Sequence, residues 1–546
     1  MGATTTTTTF PTLWEAISDA IPDVPAVIFG DRRFTWREYD ERAARFAAAL
    51  TAAGLGRDDK VGLYLYNGNE YLEAHFGAFK QRAVPINVNF RYLGNEMQYL
   101  LENADCKALV YHASLADRVA EIVGNLPLLT LLVEVDDGPA NADVPGKIGY
   151  EELLAAHAPA PRIERSFDDV YMLYTGGTTG MPKGVMYKMG ELTANYVANG
   201  FNAQKIDMPA DLDEAVAAIA RARTENGTWV AAPCCPLMHG TGMWIGVLIP
   251  HSAGGTITLL PSRKFDADEL LQIVERDAVN AAIIVGDAFA RPMADALDAA
   301  VAKGKPYDTS SFQRISSSGV MWTMEVKQRL IGHIPQVMLV DSMGSTEGGM
   351  GISVMTKDSV VETAKFSMNP TTKVFDDDDN EVRPGDGRTG KVANGGLTPY
   401  AYFKDPEKSA RTFRVIDGVR YSFPGDMATF DDEGRMVLLG RGSQVINTGG
   451  EKVFPEEVEE AVKRHPSVTD CLVVGLPDDK FGQRIVAVAS FTGSAPAEAD
   501  VIAHVKSELS HYKAPKQVIF VADVPRAPNG KADYPGAKAL AEAAKA

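Results

Sequence analysis

Along the first third of the chain, short apolar runs alternate with longer stretches in which apolar residues recur every three or four positions. Ala26–Phe29 reads as a strand, Gly30-Asp31 as a turn, and Thr35-Trp-Arg-Glu38 as a capping box opening a helix that Gly54 closes. Val61–Tyr66, Val84–Asn87 and Ala108–Tyr111 predict further strands, with Glu70–Arg82 and Leu93–Asn103 as the helices between them. Strands that alternate with helices predict an α/β fold with parallel strands. The pattern resumes at Thr256–Leu260, Ala281–Val285, Gln313–Ser316 and Val337–Val340. Two stretches interrupt it. Pro139–Arg165, rich in Ala and Pro, is expected to connect two lobes, and the helix-forming run between Ile206 and Gly227 is expected to be a surface insertion.

After Val374 the texture changes to short strands and turns, and Asp376–Asn380 lacks the spaced ligands of a calcium loop, which predicts a solvated hairpin turn. Beyond Gly440-Arg-Gly-Ser443 the alternation starts afresh. It predicts a helix over Pro455–Arg464, strands over Cys471–Val474 and Ile485–Phe491, a helix over Ala499–Leu509 and a strand over Val518–Val521. The predicted organisation is a large multi-lobed α/β domain, 1–442, followed by a small α+β domain, 443–546.

Composition narrows the class of protein. At 546 residues with 45% hydrophobic content there is material for several cores. Asp plus Glu outnumber Lys plus Arg by 72 to 54, giving −18, which argues against a nonspecific grip on nucleic acid or anionic lipid. Four cysteines, Cys106, Cys234, Cys235 and Cys471, have no metal-ligand spacing and fit a reducing cytoplasm. The N-terminus has neither a basic n-region nor an apolar h-region, so no secretory signal is expected, and runs such as Met243–Pro250 are too short to span a bilayer.

The chemistry centres on Tyr174-Thr-Gly-Gly-Thr-Thr-Gly-Met-Pro-Lys-Gly184. Gly176, Gly177, Gly180 and Gly184 can turn backbone amides toward one anion. Thr175, Thr178 and Thr179 add hydroxyls, and Lys183 adds a charge, a combination suited to a polyphosphate. A Walker loop is excluded, because Pro182 precedes the lysine and Gly184 follows it. Met343-Gly344-Ser345-Thr346-Glu347 follows the strand Val337–Val340 at its C-terminal end, where open α/β sheets bind ligands, and Glu347 could hold a hydrated magnesium.

The glycine-rich string resembles the phosphate loop of the adenylate-forming superfamily, with Gly176 in place of the usual Ser. Other matches follow in the family's order. Met343–Glu347 resembles its Tyr-Gly-x-Thr-Glu motif, which implies that Thr346 and Glu347 meet the α-phosphate and the metal and that Met343 replaces the ring that lies on adenine. Tyr421–Asp426 resembles the motif whose carboxylate, here Asp426, accepts both ribose hydroxyls, and Arg441 matches the Arg beyond it. Ser443 falls at the hinge, where the family usually has Asp or Lys. Gly450 matches the glycine beside which the pantetheine arm passes, and Lys452 the basic residue after it. Pro525–Lys531 resembles the C-terminal motif, which implies that Lys531 bridges the acyl carboxylate and the α-phosphate. His239 falls where the family carries an aromatic or His residue beside the acyl carboxylate.

By position in that family the acyl pocket would draw on Trp244, on Gly286, Asp287 and Phe289, and on Ser318 and Gly319. These are mostly small or apolar, and Asp287 would repel a second carboxylate. The resemblance therefore implies MgATP-dependent conversion of a hydrophobic monocarboxylic acid, medium-chain or longer, to acyl-AMP and then, with coenzyme A, to acyl-CoA. The stretches Gly286–Pro292 and Gly440–Val453 look most like bacterial acyl-CoA synthetases of fatty-acid and steroid side-chain degradation. Transfer to a carrier-protein thiol or an amine, and a noncatalytic adenylate sensor, are the alternatives. A homodimer is the base-rate expectation.

Overall fold

Thr35 accepts the Glu38 amide at 3.2 Å while the Glu38 carboxylate takes the Thr35 amide at 2.8 Å, so the expected capping box opens the helix Trp36–Ala52. This and the local signals after it hold in the computed structural model, which describes residues 8–177, 180–319, 322–359, 365–441, 444, 446–448, 451–478, 482–509, 511–527 and 532–544. The chain forms two compact units. One comprises Met1–Gly349, Ser353–Thr363 and Gly396–Val415, and the other Met350–Ile352, Ala364–Gly395 and Ile416–Ala546.

The first unit contains two parallel sheets. Strands Lys60–Tyr64, Val84–Asn87, Cys106–His112, Leu131–Val135 and Lys147–Gly149 make one of them. In the other, Met338–Ser345, Arg314–Ser318, Ala281–Ile284, Val230–Pro233, Thr256–Leu259 and Pro25–Phe29 lie side by side in that order. Val230–Pro233, Thr256–Leu259 and Ala281–Ile284 are buried along their whole length, as strands covered by helices on both faces must be. A third, antiparallel sheet joins Val170–Gly177, Gly180–Lys188 and Ala401–Tyr402.

Two stretches are more ordered than their composition alone specifies. The helix-forming run near residue 210 is a surface helix with one buried face. Asp211 caps the helix Leu212–Asn226, and Ala215, Ala218, Ile219 and Ala222 are buried, with Ile219 filling space that a Cβ on Gly254 would invade at 2.5 Å. The stretch 139–165 contains the strand Lys147–Gly149 and the helix Tyr150–Ala156. Its end is anchored where Arg165 meets Glu15 at 2.8 Å, and Glu15 in turn holds the buried Lys80 at 2.7 Å.

The second unit begins with antiparallel strands, and its acidic stretch is a hairpin turn as expected. Thr372–Phe375 pairs with Glu381–Val382, and Asp376 Oδ1 accepts the amides of Asp378 and Asn380. Further along, Val468–Asp478 and Gly482–Phe491 form a long antiparallel pair, joined by Ile446–Thr448, Glu451–Val453 and Gln517–Phe520. Alternate side chains serve opposite layers. Cys471, Val473, Ile485 and Ala487 pack with Val458, Val462 and Val501, while Leu472, Val474, Val486 and Val488 pack with Ala537 and Ala541. Among the described residues, no helix is long and apolar enough to cross a membrane.

Candidate active site

The described residues of the glycine-rich string belong to two paired antiparallel strands. Its flanks pair as Tyr171 with Tyr187, Leu173 with Val185, Thr175 with Lys183 and Gly177 with Gly180. Thr178 and Thr179 lie outside the described residues, and Gly176, Gly177 and Gly180 belong to the strands. Gly184 takes no positive φ. Its reason is packing, because a Cβ there would meet Met172 Sδ at 2.7 Å and Tyr174 Cε2 at 2.9 Å.

Directly opposed residues of an antiparallel pair share a face, as do every second residue along a strand. One face of this hairpin therefore carries Thr175, Lys183, Val185, Tyr187 and Tyr171, and Tyr402 joins it by pairing with Val185. Three distant segments converge on that face. Tyr187 donates its hydroxyl to the Thr346 carbonyl at 2.8 Å, and Tyr402 donates to Glu347 Oε1 at 2.6 Å. On the same side the Trp244 indole N–H donates to the Tyr171 hydroxyl at 2.6 Å, with its ring edge-on to Tyr187 at 6.0 Å.

Thr346 and Glu347 form the turn after the strand Met338–Ser345, which also holds the buried Met343. Ser345 Oγ accepts the Glu347 amide at 3.1 Å, and a Cβ on Gly344 would come within 3.2 Å of the Gly348 carbonyl. Lys183 Nζ lies 3.8 Å from Asp405 Oδ2 and 6.0 Å from the centre of the Tyr402 ring. Lys408, which the sequence reading missed, stands 5.0 Å from the same ring. Burial first, and the Lys183 ammonium second, push its pKa down to about 8.

Asn87 is a second omission. Its side-chain amide donates to the carbonyls of Tyr174 at 2.8 Å and Met238 at 2.7 Å, and its oxygen accepts the Tyr174 amide at 2.7 Å. Asn87 thereby ties the hairpin to the segment bearing the half-buried His239. A π-helix, Thr241–Leu248, follows that histidine and carries Trp244.

The remaining pocket candidates sit at neighbouring strand ends of the parallel sheet. Gly286 (φ 54°) caps the helix Asp287–Ala302 and donates its amide to Ser317 Oγ at 2.9 Å. Asp287 has a structural engagement that the sequence reading did not anticipate, accepting the Thr323 amide at 2.9 Å and hydroxyl at 2.7 Å and pairing with Arg291 at 3.2 Å. Phe289 packs on Phe265 at 4.8 Å, Ser318 ends its strand, and Gly319 follows with φ 91°.

In the second unit, Asp426 and Arg441 occupy directly opposed positions of one antiparallel pair. Lys452 likewise opposes Asn447. Ser443, Gly450 and Lys531 lie outside the described residues.

An α/β scaffold that brings Lys183 and Glu347 to one tyrosine ring, followed in the chain by a second sheet-and-helix module, defines a class. The chain belongs to the AMP-binding enzymes: residues 14–398 match the model of that family, and residues 457–531 match that of the AMP-binding enzyme C-terminal domain. Among curated relatives it is 40% identical to the medium-chain acyl-CoA ligase Mig of Mycobacterium avium, over 98% of each chain. It is 39% identical to the 3-oxocholest-4-en-26-oate--CoA ligase of Rhodococcus rhodochrous, over 96% of this chain and 94% of that one. The fold also superposes on the anthranilate CoA ligase AuaEII in complex with anthranoyl-AMP, with a TM-score of 0.83 at 21% identity, covering 99% of this chain and 98% of that one.

Proposed function

We propose that the protein joins a hydrophobic carboxylic acid to coenzyme A with ATP, through acyl-AMP, releasing AMP and pyrophosphate. The observation that carries this reading is the convergence of Lys183 and Glu347 on Tyr402, 6.0 Å from the lysine nitrogen and hydrogen-bonded to the carboxylate. The near-full-length similarity to ligases named for medium-chain, long-chain and steroid acids supports the substrate class.

The acid is already ionised at neutral pH, so no general base is needed, and the difficulty lies in bringing a carboxylate against a polyanion. Its oxygen attacks the α-phosphorus, and the bond to the bridging oxygen breaks with its electron pair leaving on pyrophosphate. Lys183 lowers the repulsion, and the Tyr187 and Tyr402 bonds fix the 346–347 turn before substrate arrives. Among the described residues no cluster of three metal-ligating side chains exists. One oriented carboxylate beside cations suits magnesium, which keeps several waters and binds through one or two carboxylates and substrate phosphates. Bound there by Glu347, it would supply charge neutralisation at the phosphates.

In the second half-reaction the coenzyme A thiolate attacks the acyl carbonyl, and AMP departs with the bonding electrons while the thiol proton goes to solvent. Residues 443–546 would turn about Ser443 so that Lys531 serves the first step and Gly450 the second. Ser443→Pro is expected to leave acyl-AMP formation within about twofold and to cut thioester formation at least about tenfold. The test of the whole reading is AMP release across a panel of carboxylic acids, each with and without coenzyme A, with acyl-CoA identified by mass. CoA-dependent turnover of an apolar acid supports it; acyl-AMP that coenzyme A never consumes would point to a carrier or amine acceptor, and no AMP from any acid to a sensor.

A further inference from the structure

Lys183 and Lys408 are 225 positions apart in the chain, yet the three-stranded antiparallel sheet brings both to one ring. The mechanism is local. Tyr402 pairs with Val185, Tyr400 donates its amide to the Met186 carbonyl and Phe403 to that of Gly184, so the strand Ala401–Tyr402 is locked to the hairpin. Asp405 then caps the helix Pro406–Thr412 by accepting the Lys408 amide at 3.1 Å, and this sets the direction in which Lys408 leaves the backbone. Its ammonium lies 5.0 Å from the ring centre on which Lys183 lies at 6.0 Å.

We propose that Lys408 binds the two phosphates that leave as pyrophosphate, as the partner of Lys183 in a two-cation clamp. This rests on the adenylation reading above. Two ammoniums that converge from separate elements repel one another, and burial of Lys408 sharpens that repulsion. A polyphosphate presents adjacent negative groups that offset both charges at once, whereas the α-phosphate alone, retained in acyl-AMP, presents one. The nearby carboxylates are already engaged: Glu347 takes the Tyr402 hydroxyl, and Asp405 caps the helix and stands 3.8 Å from Lys183. A lysine whose stem simply covered Tyr402 would contribute packing but no phosphate affinity.

The experiment uses the full chain as wild type, Lys408→Met and Lys408→Arg. Calorimetry measures binding of magnesium pyrophosphate, and rapid-quench kinetics measures thioester formation from preformed acyl-AMP and coenzyme A. Lys408→Met is expected to weaken pyrophosphate binding roughly 10- to 100-fold, the range for a lost charge-assisted hydrogen bond, and Lys408→Arg to recover most of it. Thioester formation, which involves no pyrophosphate, should change less than about twofold. Unchanged pyrophosphate affinity in Lys408→Met would overturn the proposal, and so would equal losses in both measurements, the signature of a disturbed Tyr402. The binding arm needs no turnover, so a wild-type protein that adenylates no acid would sink the functional reading while this proposal was still decided.

Discussion

The hairpin region and the C-terminal region each contain a motif lysine, and they hold the surrounding residues by different means. Around Lys183 the ionic groups are half-buried and placed by strand pairing and by ring edges, with Tyr402 linking cation and carboxylate. Beside the C-terminal motif the described flanks Arg526 and Ala532 pair as an antiparallel bridge, and ionisable side chains anchor them. Arg526 is held by Asp470 at 2.5–3.0 Å, and Tyr534 by the buried Glu459, which also accepts the Val473 amide at 2.9 Å. In the first arrangement the ionic groups stand outside the core, although the Tyr402 ring that links them lies within it. In the second, one of the ionisable groups, Glu459, is itself buried, so the placement of the motif is linked to stability and to pH.

The largest effect should come from the C-terminal lysine itself. Lys531→Ala is expected to slow acyl-AMP formation ~10²–10³-fold, as removal of a group that meets developing charge does elsewhere, while preformed acyl-AMP still reacts with coenzyme A. Equal loss in the two half-reactions would erase the functional division between the regions. A smaller effect is expected at the hairpin. Tyr402→Phe keeps the ring under both lysines but removes the 2.6 Å bond to Glu347, so acyl-AMP formation should fall about 10-fold, in line with a lost bond to a charged group, with little change in melting temperature. A large drop in melting temperature would show that the Tyr402 hydroxyl, and not only its buried ring, holds this part of the core together.

Local signals were legible in the sequence because their partners are neighbours. Thr35 and Glu38 specify their cap without reference to the rest of the chain, and Asp376 specifies its turn the same way. In the sequence Gly184 suggests backbone freedom, but its reason is the bulk of Met172 and Tyr174 across the pair, which only the strand register reveals. The buried face of the helix Leu212–Asn226 was within reach, since Ala215, Ala218, Ile219 and Ala222 have helical spacing, but their small size gave a weak apolar stripe. Lys408 and Asn87 were illegible for another reason. Both act through partners far away in sequence, and nothing local distinguishes them from a helix lysine or a strand-end asparagine.

The smallest expected change in turnover is at Glu459, and it tests the coupling of core and motif most directly. Burial first, then the nearby Glu456, raise its pKa from the ordinary carboxyl range to about 8, while Lys463, the Val473 amide and Tyr534 oppose the rise. The folded protein therefore keeps this proton when the unfolded chain has lost it. Stability from this group is full below the unfolded value near 4.5, declines as pH rises from there, and is lost once pH passes about 8. The slope is at most about 1.4 kcal/mol per pH unit. Glu459→Gln, similar in shape to the protonated acid and neutral at every pH, should leave acyl-AMP formation at pH 6–7 within about twofold and flatten the decline in chemical-denaturation midpoint between pH 5 and 8. If the decline persisted unchanged in Glu459→Gln, the pH sensitivity would belong to other groups. If turnover collapsed at pH 6 while the midpoint held, Glu459 would act on the motif by some route other than the stability of the sheet that carries it.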